Sequence, residues 1–229
     1  MTNGGTITGT VHYNGQMPAA PGIIVGKDQD ACGATHANAA DPGKGSGIAG
    51  ALVYLDTITS GKPFEKMNGK TLLDQHGCEF LPHVMILRNG GSIIVRNSDK
   101  ALHNFRVTLS GRPITNSVQP EGAPEQEVTF TQLGLNVVQC DVHPWMRGFV
   151  MVVDHPYYAI TDTAGRFTLS NVPPGTYTLK LWRDNWQIEQ PKASNGSGAV
   201  MAYDWGGDFH GQQQVTVSGG TTTANFMVP

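Results

Sequence analysis

The sequence predicts an all-β fold assembled from β-sandwiches, and three observations carry that reading. The 229 residues include 29 glycines and 14 prolines, well above the roughly 7% and 5% of ordinary chains. That excess cuts the chain into short pieces. Short apolar segments recur between turn residues at roughly ten-residue spacing, the pattern of sandwich strands. No segment sustains the 3.6-residue period of a packed helix. With 39% hydrophobic residues the chain has enough apolar content to close a core rather than remain disordered.

In chain order the predicted strands are 6–13, 48–55, 84–87, 92–96, 105–109, 127–130, 135–139, 149–153, 166–169, 176–182, 214–217 and 224–228. The segment 51–55 is a short continuous apolar run, and 149–153 is almost wholly apolar. Three turns follow from composition: Asn89-Gly90-Gly91, Thr163-Ala164-Gly165 and Pro173-Pro174-Gly175, where glycine supplies positive φ and proline fixes φ near −65°. Short helical turns are expected at 124–127 and 185–190. The stretches 26–47 and 190–211 read as loops. The second carries Met201, Tyr203, Trp205 and Phe209, which reads as an ordered flap packed back on the protein, or else as a partner or sugar surface.

Composition excludes several classes. Charged residues are 14% of the chain and the net charge is −3, so there is no clustered basic excess of the kind nucleic-acid binding needs. No apolar stretch approaches the roughly 18 residues of a membrane helix. The opening Met-Thr-Asn-Gly-Gly lacks a basic n-region and an apolar h-region, so no signal peptide is read there. There is no His-Glu zinc motif and no Gly-x-Ser-x-Gly.

The most specific chemistry lies in Cys140-Asp141-Val142-His143-Pro144-Trp145-Met146. A thiolate, an imidazole and a thioether follow directly on a predicted strand, and His103 stands upstream in Leu102-His103-Asn104-Phe105. Two imidazoles and a thiolate with a weak axial thioether form a blue-copper donor set. Thiolate and thioether favour Cu(I) while imidazole suits both oxidation states, so such a site changes little when an electron moves. Zinc also accepts one Cys and two His, but the methionine argues against a dedicated zinc site. There is no His-x-His pair for a trinuclear copper cluster and no second cysteine four residues from Cys140, so a single mononuclear centre is expected.

The run from Phe80 to Asp154 resembles a cupredoxin, the family of plastocyanin, pseudoazurin and amicyanin. Cys140-x2-His143-x2-Met146 followed by Arg147-Gly148 is most similar to the short ligand loop of amicyanin, and Phe80, Pro82, Gly90, Asn97, His103 and Asn104 match the family's upstream pattern. The resemblance implies copper held by His103, Cys140, His143 and Met146. It implies that Asn104 ties the two ligand loops together with its N–H near the thiolate. It also implies that the electron leaves through an apolar surface patch at His143, to which Pro144 and Trp145 belong. With Cys140 claimed by copper, Cys32 and Cys78 are left as an even pair and are expected to form a disulfide. That in turn implies an oxidising compartment, periplasmic or extracellular. His76 and His83 flank Cys78 and are a weaker candidate for a second metal site.

A second signature follows. Thr161-Asp162-Thr163-Ala164-Gly165-Arg166-Phe167 and Pro173-Pro174-Gly175-Thr176-Tyr177 resemble the carboxypeptidase regulatory-like domain, a small transthyretin-like β-sandwich. That family's opening elements match Gly9-Thr10-Val11 and Gly50-Ala51-Leu52-Val53, about a hundred residues upstream. The resemblance therefore implies nesting: a cupredoxin Greek-key β-sandwich at 60–154 inserted in a carboxypeptidase-regulatory-like sandwich made of 1–59 and 155–229. The whole pattern resembles bacterial extracytoplasmic proteins that combine the two modules. It implies an electron carrier rather than an enzyme, with one type-1 copper and a redox protein donor and acceptor. The alternatives are copper storage or delivery, and an adhesion or scaffold module with a structural copper site.

Overall fold

Glycine-closed turns and short apolar segments yield 21 strands and one four-residue helix among the described residues. The computed structural model of the protein describes residues 3–64, 70–193 and 200–229. Four sheets carry the architecture. In the first, Gly5–Tyr13 is central, antiparallel to Arg166–Val172 and parallel to Thr221–Thr223 and Phe226–Val228. The second runs in the order Tyr158–Ile160, Leu52–Leu55, Gly175–Arg183, Phe209–Val217. Ile7, Val11, Val53, Leu55, Phe167, Leu169, Leu179 and Trp186 fill the space between these two sheets.

The third sheet orders Arg112–Gln119, His103–Leu109, Gly134–Gln139, Arg147–Val153 and Val84–Arg88. The fourth orders Gln126–Phe130, Gly91–Asn97, Thr71–Gln75 and Phe80–Leu81. Their shared core holds Leu73, Phe80, Leu87, Ile93, Val95, Phe105, Val107, Val138 and Val150, together with Cys140 and Met146. Among the described residues, strands from Thr71 to Val153 pair only among themselves. Leu52–Leu55 and Arg147–Val153 are apolar on both faces for a reason the pairing supplies. Val53 and Leu55 face one core and Val150 and Val152 the other, while Leu52, Phe149, Met151, Val153 and Trp182 meet between the two sandwiches. A strand covered on both sides reads as a continuous apolar run instead of an alternation.

All three turns predicted from composition are turns. At Gly165 φ is +74°, and an added Cβ would run into the carbonyl of Val11. Asp162 fixes that turn by accepting the backbone N–H groups of Ala164 and Arg166, each at 2.9 Å. The expected helical turns are not formed. Gln126–Phe130 is a strand because it lies against Gly91–Asn97. Asn185 makes an Asx-type turn to the Gln187 N–H (2.9 Å) and Ile188 opens a strand. The helix is instead Gln29–Cys32, inside the stretch 26–47.

The stretch 190–211 is partly a hairpin, Ile188–Ala193 against Val200–Trp205. Residues 194–199 and the side chain of Met201 lie outside the described residues. Tyr203 and Trp205 pack on the core that contains Cys140, and Phe209 on the other.

Candidate metal centre

The strand Gly134–Gln139 delivers Cys140 to the end of the third sheet, and the neighbouring strand begins at His103. Between Cys140 and Arg147 the chain closes a tight loop. The Cys140 N–H donates to the Met146 carbonyl (3.2 Å) and the Met146 N–H to the His143 carbonyl (2.9 Å). His103 Nδ1 and His143 Nδ1 lie 2.8 Å apart, and Cys140 Sγ is 3.9 Å from His143 Nδ1. These three side chains form a buried group whose donor atoms all fall within 4.8 Å of one another. Met146 is buried in the same cluster.

Both imidazoles turn Nδ1 inward because Nε2 is held from behind. His103 Nε2–H donates to Asp99 Oδ2 (2.9 Å), and His143 Nε2–H donates to Asp28 Oδ2 (2.9 Å). Asp99 is itself fixed by the N–H groups of Cys78 (2.8 Å) and Gly77 (2.7 Å). Carboxylates that set the tautomer and orientation of a ligating imidazole are the usual outer support of a metal site.

The Cys140 thiol is made more acidic by its surroundings. Burial alone would raise its pKa. Hydrogen bonds from His103, His143 and the backbone N–H groups of Asn104 and His143 outweigh burial and lower it to about 6. Those N–H groups lie 3.5 and 3.4 Å from Sγ. Burial likewise opposes a charge on His103, but Asp99 and the Cys140 thiolate outweigh it and raise its pKa. Asn104 ties the two loops: its Oδ1 accepts the Asp141 N–H (2.5 Å) and its Nδ2 donates to Asp141 Oδ2 and Asn116 Oδ1 (both 2.9 Å). Asp141 also accepts from Arg106 Nε (2.6 Å).

Cys32 and Cys78 are joined in a disulfide with Cα atoms 5.3 Å apart. The expected exit patch is not a surface. The His143 side chain is 0% exposed, and Trp145 is 4% exposed. The Trp145 indole N–H donates to the Cys78 carbonyl (3.1 Å), and its ring meets His36 and His143 at centroid distances of 5.9 and 5.0 Å. Only Pro144 is partly open. The cause is the segment 26–47, which folds over the ligand loop and is fastened there by the disulfide.

The weaker metal candidate is not assembled either. The His76 side chain is 66% exposed, Cys78 is spent in the disulfide, and His83 points to Asp184 instead (2.7 Å). Two groups escaped sequence reasoning, Asp28 and Asp99. Nothing in the local pattern marks either one; the only pointer to Asp28 is its closeness in sequence to Cys32.

Residues 152–225 match the family model of domain II of polysaccharide lyase family 4, a span that includes the motifs at 161–167 and 173–177. No curated protein sequence matches the chain. Among solved structures, a reduced amicyanin mutant matches at 21% identity and TM-score 0.34, over 39% of this chain and 87% of that one. A purple cupredoxin from Nitrosopumilus maritimus matches at 21% identity and TM-score 0.33, over 37% of this chain and 100% of that one. A copper-containing nitrite reductase from Thermus scotoductus SA-01 matches at 22% identity and TM-score 0.34, over 44% of this chain and 25% of that enzyme.

Proposed function

We propose that the protein is a mononuclear type-1 copper electron carrier rather than an enzyme, working between redox proteins outside the cytoplasm. The observation that supports it most is the convergence of His103 Nδ1, His143 Nδ1 and the Cys140 thiolate in one buried group. His103, Cys140 and His143 would hold the metal strongly and Met146 weakly, a set whose softness suits copper in both oxidation states. Bound copper would supply a one-electron couple.

The chain's own residues do the rest. Asp99 and Asp28 keep the imidazoles turned inward. The Asn104 and His143 N–H groups stabilise negative charge on sulfur. Asn104 keeps the two ligand loops in register, and burial excludes water. The disulfide supports placing the protein in the periplasm or outside the cell.

We read the chain as two units, with 60–154 inserted between 1–59 and 155–229. The outer sandwich, likened above to the carboxypeptidase regulatory-like domain, serves as scaffold. One observation favours the second reading, copper storage: the covered edge of His143.

Copper-reconstituted protein tests the proposal. An intense visible Cu(II)–thiolate absorption that Cys140→Ser abolishes, with a reversible one-electron wave in voltammetry, is the expected result. Colourless Cu(II) protein overturns the copper-carrier reading, and a coloured protein with no reversible wave leaves storage.

A further inference from the structure

Asp28 occupies the position before the helix Gln29–Cys32 where a carboxylate ordinarily accepts the helix's free N–H groups, yet its side chain makes no such cap. Its backbone is left-handed, with φ 54° and ψ 40°, a conformation that aspartate tolerates better than most residues. The carboxylate is thereby turned onto His143 Nε2 at 2.9 Å. Asp28 also fixes the turn that follows, its carbonyl accepting the N–H groups of Ala31 (3.0 Å) and Cys32 (2.8 Å). Cys32 Sγ then stands 4.0 Å from the same imidazole nitrogen.

The far half of the disulfide is wired to the other imidazole. The Cys78 N–H donates to the Asp99 oxygen that accepts from His103, and the Cys78 carbonyl holds the Trp145 indole. One covalent bond thus joins the supports of both imidazoles. Asp28 is the outer wall over His143, and its side chain is 38% exposed.

We propose that Asp28 is a positioning residue for His143 and that the Cys32–Cys78 disulfide is a releasable tether that keeps it closed over that imidazole. The proposal rests on the copper reading above for its purpose, and on the geometry alone for its substance. Opening the tether takes a dithiol reductant. Its two sulfurs close into a disulfide while the Cys32–Cys78 bond breaks, and its two thiol protons pass to Cys32 and Cys78. The segment around Asp28 is then held by noncovalent contacts alone, and its loosening opens the Nε2 edge of His143.

Carbethoxylation of metal-free protein by diethyl pyrocarbonate, followed by peptide mass spectrometry, reads this directly, with exposed His76 as internal reference. His143 is expected to react at least about tenfold more slowly than His76 in the oxidised protein. It reacts at least about tenfold faster after dithiol treatment and in Asp28→Gly, which keeps the left-handed backbone without the carboxylate. Asp28→Asn still offers an acceptor oxygen and stays protected. Should a Cys32→Ser/Cys78→Ser variant fail to fold, dithiol treatment of the native chain and Asp28→Gly carry the test unaided. His143 reacting like His76 in the oxidised protein, or staying protected in Asp28→Gly or after reduction, overturns the proposal.

In copper-loaded protein, Asp28→Gly shifts the reduction potential positive, because an imidazole that loses its carboxylate partner is a poorer donor; Asp28→Asn falls between. An unchanged potential counts against positioning. Failure of the wild type to develop copper–thiolate colour sinks the copper reading alone, since the carbethoxylation result needs no metal.

Discussion

A buried thiol ordinarily keeps its proton, and Cys140 is held near a pKa of 6 only because four hydrogen bonds from His103, Asn104 and His143 outweigh its burial. His103 is shifted the other way, upward, by Asp99 and by that thiolate. Metal ligands must be free of protons, so on the copper reading proposed above the pH dependence of metal uptake has a fixed sign. Protons compete with a metal at both Cys140 and His103, and the upward shift of His103 strengthens that competition at the imidazole. Affinity therefore rises with pH until His103 is neutral, and falls more steeply below about 6, where Cys140 protonates as well. A chelator-competition titration from about pH 5 to about pH 8 checks this; affinity flat across that range would contradict it. Asn104 makes a separate prediction. Asn104→Ala removes the amide that bridges Asp141 and Asn116 but keeps the backbone N–H on sulfur. The expected cost is about 1–3 kcal/mol in urea denaturation of the metal-free protein, with faster loss of copper to a chelator.

At the scale of elements, the strand Val84–Arg88 and the segment joining Arg183 to Ile188 meet through His83. Burial first, then the positive charges of Arg183 and Arg147, lower its pKa to about 3. An imidazole that stays neutral in the fold but takes a proton near 6.5 once unfolded makes the unfolded chain bind more protons between those values. Its contribution is complete above about pH 6.5 and is lost as pH falls toward 3. Lowering the pH from about 7 to about 5 therefore costs about 2 kcal/mol from this group. His83→Gln should flatten that part of the acid limb in urea melts at the two pH values.

The same scale shows what the sequence could disclose. Strands buried on one or both faces left apolar patterns, and the ligand loop left a spacing, because both are local. Arg112–Gln119 left none: it is an edge strand with mostly exposed side chains. The contact of Asp28 with His143 spans 115 positions and answers to no local period, so the cover over the site was invisible until the chain was folded.

At the scale of the whole molecule, the two sandwiches share an apolar seam. Phe149 and Trp182 meet at a centroid distance of 4.7 Å, with Leu52, Met151 and Val153 around them. Beside the seam, Arg147 reaches Asp184 (3.2 Å) and stacks on Trp205 at 3.6 Å, while Arg183 binds the carbonyls of Ala40 and Ala49. Arg147 directly follows Met146, so these contacts reach the end of the loop that carries Cys140 and His143. Buried charges of this kind are costly unless each stays paired. Separating the sandwiches would strand Arg147 and take His83 and Arg147 away from Asp184, which would keep only Arg183, as well as exposing the apolar seam. The two units should therefore unfold together, in one calorimetric transition whose van't Hoff and calorimetric enthalpies agree. Trp182→Ala opens the seam at its largest side chain and also drops the indole bond to Asp208. It should cost about 3–5 kcal/mol and lower Tm by roughly 10 °C, leaving the copper–thiolate absorption in place because Trp182 lies outside the ligand group. Two resolved transitions in the wild type would mean that the seam does not couple the sandwiches. Loss of the absorption in Trp182→Ala would mean that the outer sandwich shapes the metal group as well as carrying it.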